Sequence, residues 1–173
     1  AYEKALSLKP DYADAYNNMG VALADQGKLD RAISAYEKAL SLKPENAEAF
    51  NNMGYTLTDQ RKLDKAISAY EKALSLKPDY QAVRAQKIYQ QSHVCDWSAV
   101  DAERSYVAGL GVFDKAVPPF SMLSIEDSPE RHQLRSEIYA REKLSQKPFP
   151  AIVKPSKKPK RLRIGYFSTD FKE

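Results

Sequence analysis

Apolar and small residues recur along the first half of the chain at helical spacing. Tyr16, Met19, Gly20 and Leu23 lie three and four residues apart and so share one face of a helix. Ala32, Tyr36 and Ala39 share the face of a second. Pro44 ends it, because its ring and missing N–H block further winding. The same set returns as Phe50, Met53, Gly54 and Leu57, then Ala66, Tyr70, Ala73 and Pro78. The string AYEKALSLKP starts at Ala1, Ala35 and Ala69, and residues 11–44 match residues 45–78 at 25 of 34 positions. Identity of that extent is internal duplication. Each unit predicts two helices joined by a tight turn, preceded by the tail of an earlier unit at Tyr2, Ala5 and Pro10.

A helical hairpin repeated every 34 residues resembles the tetratricopeptide repeat (TPR), so the first half of the chain is expected to be an all-α TPR superhelix, a solenoid of stacked pairs. Gly20 and Ala32 are expected to be small because two helix backbones approach there. Tyr36 is expected to fill the space between neighbours. One position departs from the duplication: Arg61 stands where the first unit has Gly27 in the inter-helix turn. Arginine fits that turn only if φ stays negative.

At Gln81 the side-chain pattern fails. Arg84, Lys87 and Ile88 fall one period after Phe50, Met53 and Gly54. Helical character continues through QAVRAQKIYQQSHV, which predicts a helix that caps the stack and covers its last apolar face. A second helix is predicted from about Ser98 to Phe113, with Trp97 plugging the joint. Pro118 and Pro119 break it, and Ser128 and Pro129 read as the N-cap and first position of another helix. QKPFPAIVKPSKKPK, rich in Pro and Lys, reads as a linker, and Leu162–Ser168 reads as a buried strand. A lone strand needs a partner for its backbone, so a sheet domain is expected to begin there. The expected boundaries are repeats over 1–80, capping helices over 81–117, a linker helix region over 118–147, a basic linker over 148–160 and a further domain from 161. The opening residue is not Met, and the chain is expected to be a piece of a longer one.

Charge changes the picture little. The net charge is +4, and Lys154, Lys157, Lys158, Lys160, Arg161 and Arg163 within KPSKKPKRLR account for more than all of it. The body is nearly neutral, which does not indicate a nucleic-acid surface. A solvated linker is the plain reading of the basic run. No stretch has the run of about 20 apolar residues that a spanning helix needs, so no membrane role is expected. The single cysteine, Cys95, cannot close an internal disulfide, which fits a reducing, cytoplasmic compartment.

In a TPR stack the first helix of each pair lines the concave side. That places Asn17, Asn18, Val21 and Asp25, then Asn51, Asn52, Tyr55 and Asp59, as candidate residues of a peptide-binding groove. Between the two units Val21 becomes Tyr55 and Ala24 becomes Thr58, so the changes fall on the expected groove. Asn18 and Asn52 are one period apart and stack along the curve. Asparagine carries both donor and acceptor groups, so such a ladder can hold an extended peptide by its backbone. The groove helices of the two full units carry Asp, Asn and Glu rather than Lys and Arg, which argues against a clamp for a terminal carboxylate. Self-association through the N-terminal end is expected if the preceding helix is missing.

Three segments in order carry a wider resemblance: Cys95-Asp96-Trp97, PPFSMLSIEDSPERHQLR over 118–135, and RLRIGYFSTDF over 161–171. With the repeats, they resemble the TPR-linked protein O-glycosyltransferases, the O-GlcNAc transferase and SPINDLY family and its bacterial members in particular. The resemblance implies that the terminal strand opens a Rossmann-like lobe of a GT-B domain. It implies a parent enzyme that transfers sugar from a nucleotide donor, UDP-GlcNAc or GDP-fucose, to Ser or Thr of proteins. The family's catalytic His lies beyond Glu173, so the resemblance places no catalytic residue, cofactor or metal in this chain. It does imply that Asn18 and Asn52 match the family's peptide-holding asparagines, with Gln86 at the next rung. A stand-alone TPR adaptor with no enzymatic activity is the alternative.

Other features carry less. His93 and Cys95 have no further ligands nearby for zinc. His132 is expected on a helix surface, and Glu126 and Asp127 are expected to be solvated. Gly109 and Gly111 sit in a helical pattern without the strand that a phosphate loop needs.

Overall fold

The computed structural model describes residues 10–113 and 116–144. Eight α-helices follow in order: α1 Ala13–Asp25, α2 Leu29–Leu42, α3 Ala47–Asp59, α4 Leu63–Leu76, α5 Gln81–His93, α6 Trp97–Ala102, α7 Arg104–Val107 and α8 Pro129–Tyr139. A 3-10 turn at Pro119–Met122 precedes α8, and a π-turn at Ala140–Leu144 extends it. The described residues contain no strand, and no described helix is long and apolar enough to cross a membrane. The expected linker over 148–160, the strand Leu162–Ser168 and most of the N-terminal half unit lie outside the described residues.

The helices form because small and aromatic residues interlock. A β-carbon built on Gly20 would sit 2.4 Å from Tyr36 Cε1, and one on Gly54 would sit 2.5 Å from Tyr70 Cε1. The glycines are therefore small to admit a tyrosine ring, which corrects the expectation that a second backbone approaches there. Ala32, Ala39, Ala66 and Ala73 are fully buried, and Ala32 packs in one cluster with Leu23 as Ala66 does with Leu57. Ile33, Phe50 and Met53 pack against the core of the second unit, which ties the two units together.

The turns are built alike. After α1, Lys28 N–H donates to Leu23 O at 2.9 Å and Gly27 N–H to Ala24 O at 2.8 Å, a left-handed helix stop with Gly27 at φ 72°. The same two bonds recur from Lys62 to Leu57 and from Arg61 to Thr58. Arg61 has φ 60°, so the expectation of a negative φ is wrong: the turn keeps its geometry and the arginine bears the strain. A third copy follows α5, where Asp96 donates to Gln91, Cys95 donates to Ser92, and Cys95 has φ 59°.

Gly27, Arg61 and Cys95 are thus one structural position repeated every 34 residues. Helices α1, α3 and α5 begin and end at that same interval. The repeat does not fail at Gln81: its backbone continues and only its side chains change. Ile88 fills the glycine position, and Arg104 stands where Tyr36 and Tyr70 stand. Bulk has moved from the second helix to the first, where Ile88 packs with Ala85, Val100, Val107, Leu110, Val117 and Met122.

The predicted helix over Ser98–Phe113 is broken. α6 stops at Ala102, α7 covers one turn, and the chain bends at Gly111 with φ 67°. Trp97 does not plug the joint: it opens α6 and is 53% exposed. The start of α8 at Ser128 and Pro129 is as expected. Its anchor is Arg135, fully buried, which donates to Leu110 O and Val107 O, both at 2.7 Å, and pairs with Glu126 Oε2 at 2.7 Å.

Candidate peptide groove

Helices α1 and α3 touch directly, while the second helices α2 and α4 stand apart across open space. The stack therefore bends with α1, α3 and α5 on its inner side. Successive residues turn by about 100°, so Glu48, Asn52, Tyr55 and Asp59 share the inner face of α3. Phe50, Met53 and Leu57 occupy the opposite side. Equivalent inner columns run Asp14, Glu48, Ala82; Asn18, Asn52, Gln86; Val21, Tyr55, Tyr89; and Asp25, Asp59, His93.

The eight candidate groove residues divide into two sets. Asn18, Val21, Asp25, Tyr55 and Asp59 are exposed, and Asn52 is half-buried between them. Asn17 and Asn51 lie too deep to meet a partner; they are buried at the seam between helices. There they orient the exposed face. Asn51 Nδ2 donates to Asn52 Oδ1 at 3.4 Å, and Asn52 Nδ2 donates to Asn17 Oδ1 at 3.1 Å. A primary amide has two N–H groups and two lone pairs. Asn52 therefore keeps one donor and one acceptor site after both bonds, held in a fixed direction. Asn18 makes no side-chain hydrogen bond among the described residues.

Tyr55 is 40% exposed in the groove, with its ring edge-on to Tyr70 at 5.9 Å. Burial of its hydroxyl raises the Tyr55 pKa above the ordinary tyrosine value, Tyr80 adds to this, and a hydrogen bond with Gln86 opposes it. Gln86 is buried beside Tyr55, and its burial closes the third rung. Thr58 belongs to the scaffold rather than the groove: its hydroxyl donates to Gly54 O at 3.0 Å and lies 3.4 Å from Tyr70 Oη. Burial pushes the Tyr70 hydroxyl well above its usual range.

The inner face is acidic, with Asp14, Asp25, Glu48 and Asp59 all exposed. Arg84 and Lys87 contribute nothing to it. Both are drawn to Glu103 on the other side of α5, Arg84 Nη1 at 2.6 Å and Lys87 Nζ in a shorter contact. Sequence reasoning missed this pairing, as it missed the network at α8. Glu126 is not solvated: it pairs with Arg131 at 2.7 Å and with Arg135. His132 is half-buried and donates from Nε2 to Glu126 O at 2.7 Å. No group of metal-binding side chains occurs among the described residues.

This architecture is that of a tetratricopeptide stack. The tetratricopeptide-repeat profile matches residues 13–46 and 47–80, and those residues are two TPR units. Solved structures with the same fold include MamA, at 22% identity and TM-score 0.63, covering 80% of this chain and 78% of that one. A MamA double mutant from RS-1 aligns at 22% identity and TM-score 0.58, covering 63% of this chain and 61% of that one. YrrB, described as a TPR protein with an unusual peptide-binding site, aligns at 19% identity and TM-score 0.58, covering 83% and 67%. A mutant O-GlcNAc transferase from Thermobaculum terrenum aligns at 23% identity and TM-score 0.53 over 68% of this chain, which spans only 24% of that transferase. At these identities the likeness is one of fold. No curated protein matches the sequence.

Proposed function

We propose that the inner face of α1, α3 and α5 binds a segment of another protein in extended form. The observation that carries this reading is Asn52, oriented by Asn17 and Asn51 on the inner face of α3 yet left with one donor and one acceptor unused. Preorganised polar groups bind without the cost of ordering themselves. Exposed Asn18 extends the row, and Tyr55 offers a flat surface beside it. The four acids select a partner that is neutral or basic.

The test is titration of the chain with a fluorescein-labelled, unstructured Ser/Thr/Lys-rich peptide of about 15 residues, long enough to cross several rungs. Saturable binding that Asn18→Ala with Asn52→Ala abolishes, with helicity unchanged, supports the groove. Equal affinity for the double variant overturns it.

The further reading is that this groove presents protein substrates to a nucleotide-sugar O-glycosyltransferase. Its support is the sequence resemblance over 95–97, 118–135 and 161–171, together with a fold shared with a bacterial O-GlcNAc transferase. The adaptor reading shares the same groove. Sugar transfer from UDP-GlcNAc or GDP-fucose to protein Ser or Thr by the full-length gene product, lost in the groove variant, supports the enzyme. Peptide binding without transfer supports the adaptor.

A further inference from the structure

The opposite side of α3 holds a second groove. It has a volume of about 630 Å³ and runs between α2 and α4. Ile33, Phe50, Met53, Leu57 and Ala69 form an apolar floor. Asp30 and Glu37 stand on the α2 wall, and Lys62, Lys65 and Lys72 on the α4 wall, with Asp64 at the start of α4. The repeat creates this order. In each second helix the acids and the basic residues are offset by about 100°, so the acidic flank of one unit faces a mainly basic flank of the next, at whose edge Asp64 stands.

The facing charges do not meet. No ion pair joins Asp30 or Glu37 to Lys62, Lys65 or Lys72 among the described residues. Asp30 instead accepts a hydrogen bond from Gln60 at 2.9 Å. Two charged walls thus flank an apolar strip too wide for them to close.

In the next interval the chain supplies its own cover. One period later Arg84 and Lys87 replace Phe50 and Met53, Glu103 replaces Ala69, and Tyr106 replaces Lys72. Glu103 neutralises both cations, and the Tyr106 ring lies 4.0 Å from the Arg84 guanidinium. The first interval has the same architecture and no such cover.

We propose that the groove between α2 and α4 docks an amphipathic helix of a partner protein. Its apolar stripe lies on Phe50 and Met53, its basic edge faces Asp30 and Glu37, and its acidic edge faces Lys65 and Lys72. The walls are helices of 14 residues, about 21 Å long, which sets the occupant at three to four turns. This site is independent of the inner groove, since the two occupy opposite faces of α3.

The test uses the whole chain and synthetic helical peptides of about 14 residues. One carries Leu at three- and four-residue spacing, Lys along one edge and Glu along the other. Two controls carry Lys on both edges or Glu on both. At low salt the mixed peptide binds about ten-fold tighter than either control, and the margin shrinks as salt is added. Lys65→Glu with Lys72→Glu makes both walls acidic and transfers the preference to the all-Lys peptide. Both lysines are exposed, and an unchanged melting curve shows that the fold persists. If that variant is unstable, Lys65→Gln with Lys72→Gln must erase the gain from the Glu edge. Absence of saturable binding, or the same ranking in the variant, overturns the proposal. So does equal binding of a Pro-interrupted, extended version, or a dimer of the chain that the charge reversal dissolves.

Discussion

Asn52 on α3 donates a hydrogen bond to Asn17 on α1, Nδ2 to Oδ1 at 3.1 Å, across the joint between two repeats. Asn17 is 5% exposed, so the bond is shielded from water. It fastens the first helices together and fixes the orientation of the Asn52 amide. Two asparagines adjacent in sequence, Asn17 and Asn18, therefore do different work.

Asn17→Ala removes the acceptor for Asn52 and is expected to lower stability by about 1 kcal/mol, the worth of a shielded neutral hydrogen bond. It is also expected to weaken peptide binding, although Asn17 touches no peptide. Asn18→Ala is expected to weaken binding while changing stability by less than about 0.5 kcal/mol, as at other exposed positions. Urea denaturation and calorimetric titration of both variants separate the two roles. Equal stability loss in both would remove the distinction.

Gly54→Ala sets two effects against each other. Alanine favours a helix interior by about 1 kcal/mol over glycine. The new β-carbon, however, meets Tyr70 Cε1 at 2.5 Å, inside any normal contact. Tyr70 is fully buried and cannot move freely, so overpacking wins, with an expected net cost of about 2 kcal/mol. Tyr70→Leu relieves the clash, so the two substitutions together should cost less than the sum of their separate costs. A thermal or urea double-mutant cycle reads this coupling. Strict additivity would refute the steric account.

Arg61 carries a side chain at φ 60° in a turn that Gly27 makes at φ 72° with the same hydrogen bonds. Nothing lies within 4 Å of a β-carbon built on Gly27, so the penalty in this turn type is backbone strain rather than a clash. Arg61→Gly is expected to stabilise the chain by about 1 kcal/mol, and Gly27→Arg to destabilise it by a similar amount. The midpoint of urea unfolding is the measurement. A lower midpoint for Arg61→Gly would mean that the entropy glycine adds to the unfolded chain outweighs the relieved strain, and would overturn this account.

The same position explains what the sequence reveals and what it hides. α1 to α4 follow from their repeat because one pattern of small and aromatic residues buries the same face twice. α5 and its turn keep the period too, but by hydrogen bonding at Cys95, which a hydrophobicity pattern does not record. Arg84 and Lys87 resemble surface residues until Glu103 is placed over them. Arg135 is hidden for the same reason, because its partner carbonyls, Val107 and Leu110, are distant in sequence and come together only in the fold. In the groove, the sequence identifies the face, but two adjacent helical positions point about 100° apart and cannot both face a partner. Burial alone separates Asn17 from Asn18 and Asn51 from Asn52.

Glu103 holds the third unit together through Arg84 and Lys87, whose side chains are at least as sheltered as its own. Burial alone would raise its pKa, but hydrogen bonds from Lys87 and Arg84 and their charges outweigh that and hold it below the ordinary glutamate value of 4.5. A carboxylate depressed in the fold adds stability that is present above its unfolded pKa and lost as pH falls through the folded value. Packing of α5 on α6 and α7 is therefore expected to weaken on acidification below about pH 4.5. Glu103→Gln should flatten that acid loss. At neutral pH it should cost about 3 kcal/mol, because two sheltered cations are left unneutralised. Adding Lys87→Met and Arg84→Phe, the residues at Met53 and Phe50 one period earlier, replaces the charges with the apolar pair that the repeat already uses. This triple variant is expected to regain most of the loss and to shed the Glu103 share of the acid dependence, leaving that of Glu126, whose pKa burial would raise but whose bonds and charges with Arg131 and Arg135 hold it below the ordinary glutamate value. Amide exchange along α5, measured across that pH range, reads the effect where it arises. If α5 exchanged equally in the parent chain and in Glu103→Gln at pH 7, the ion cluster would not be what holds the third unit in place.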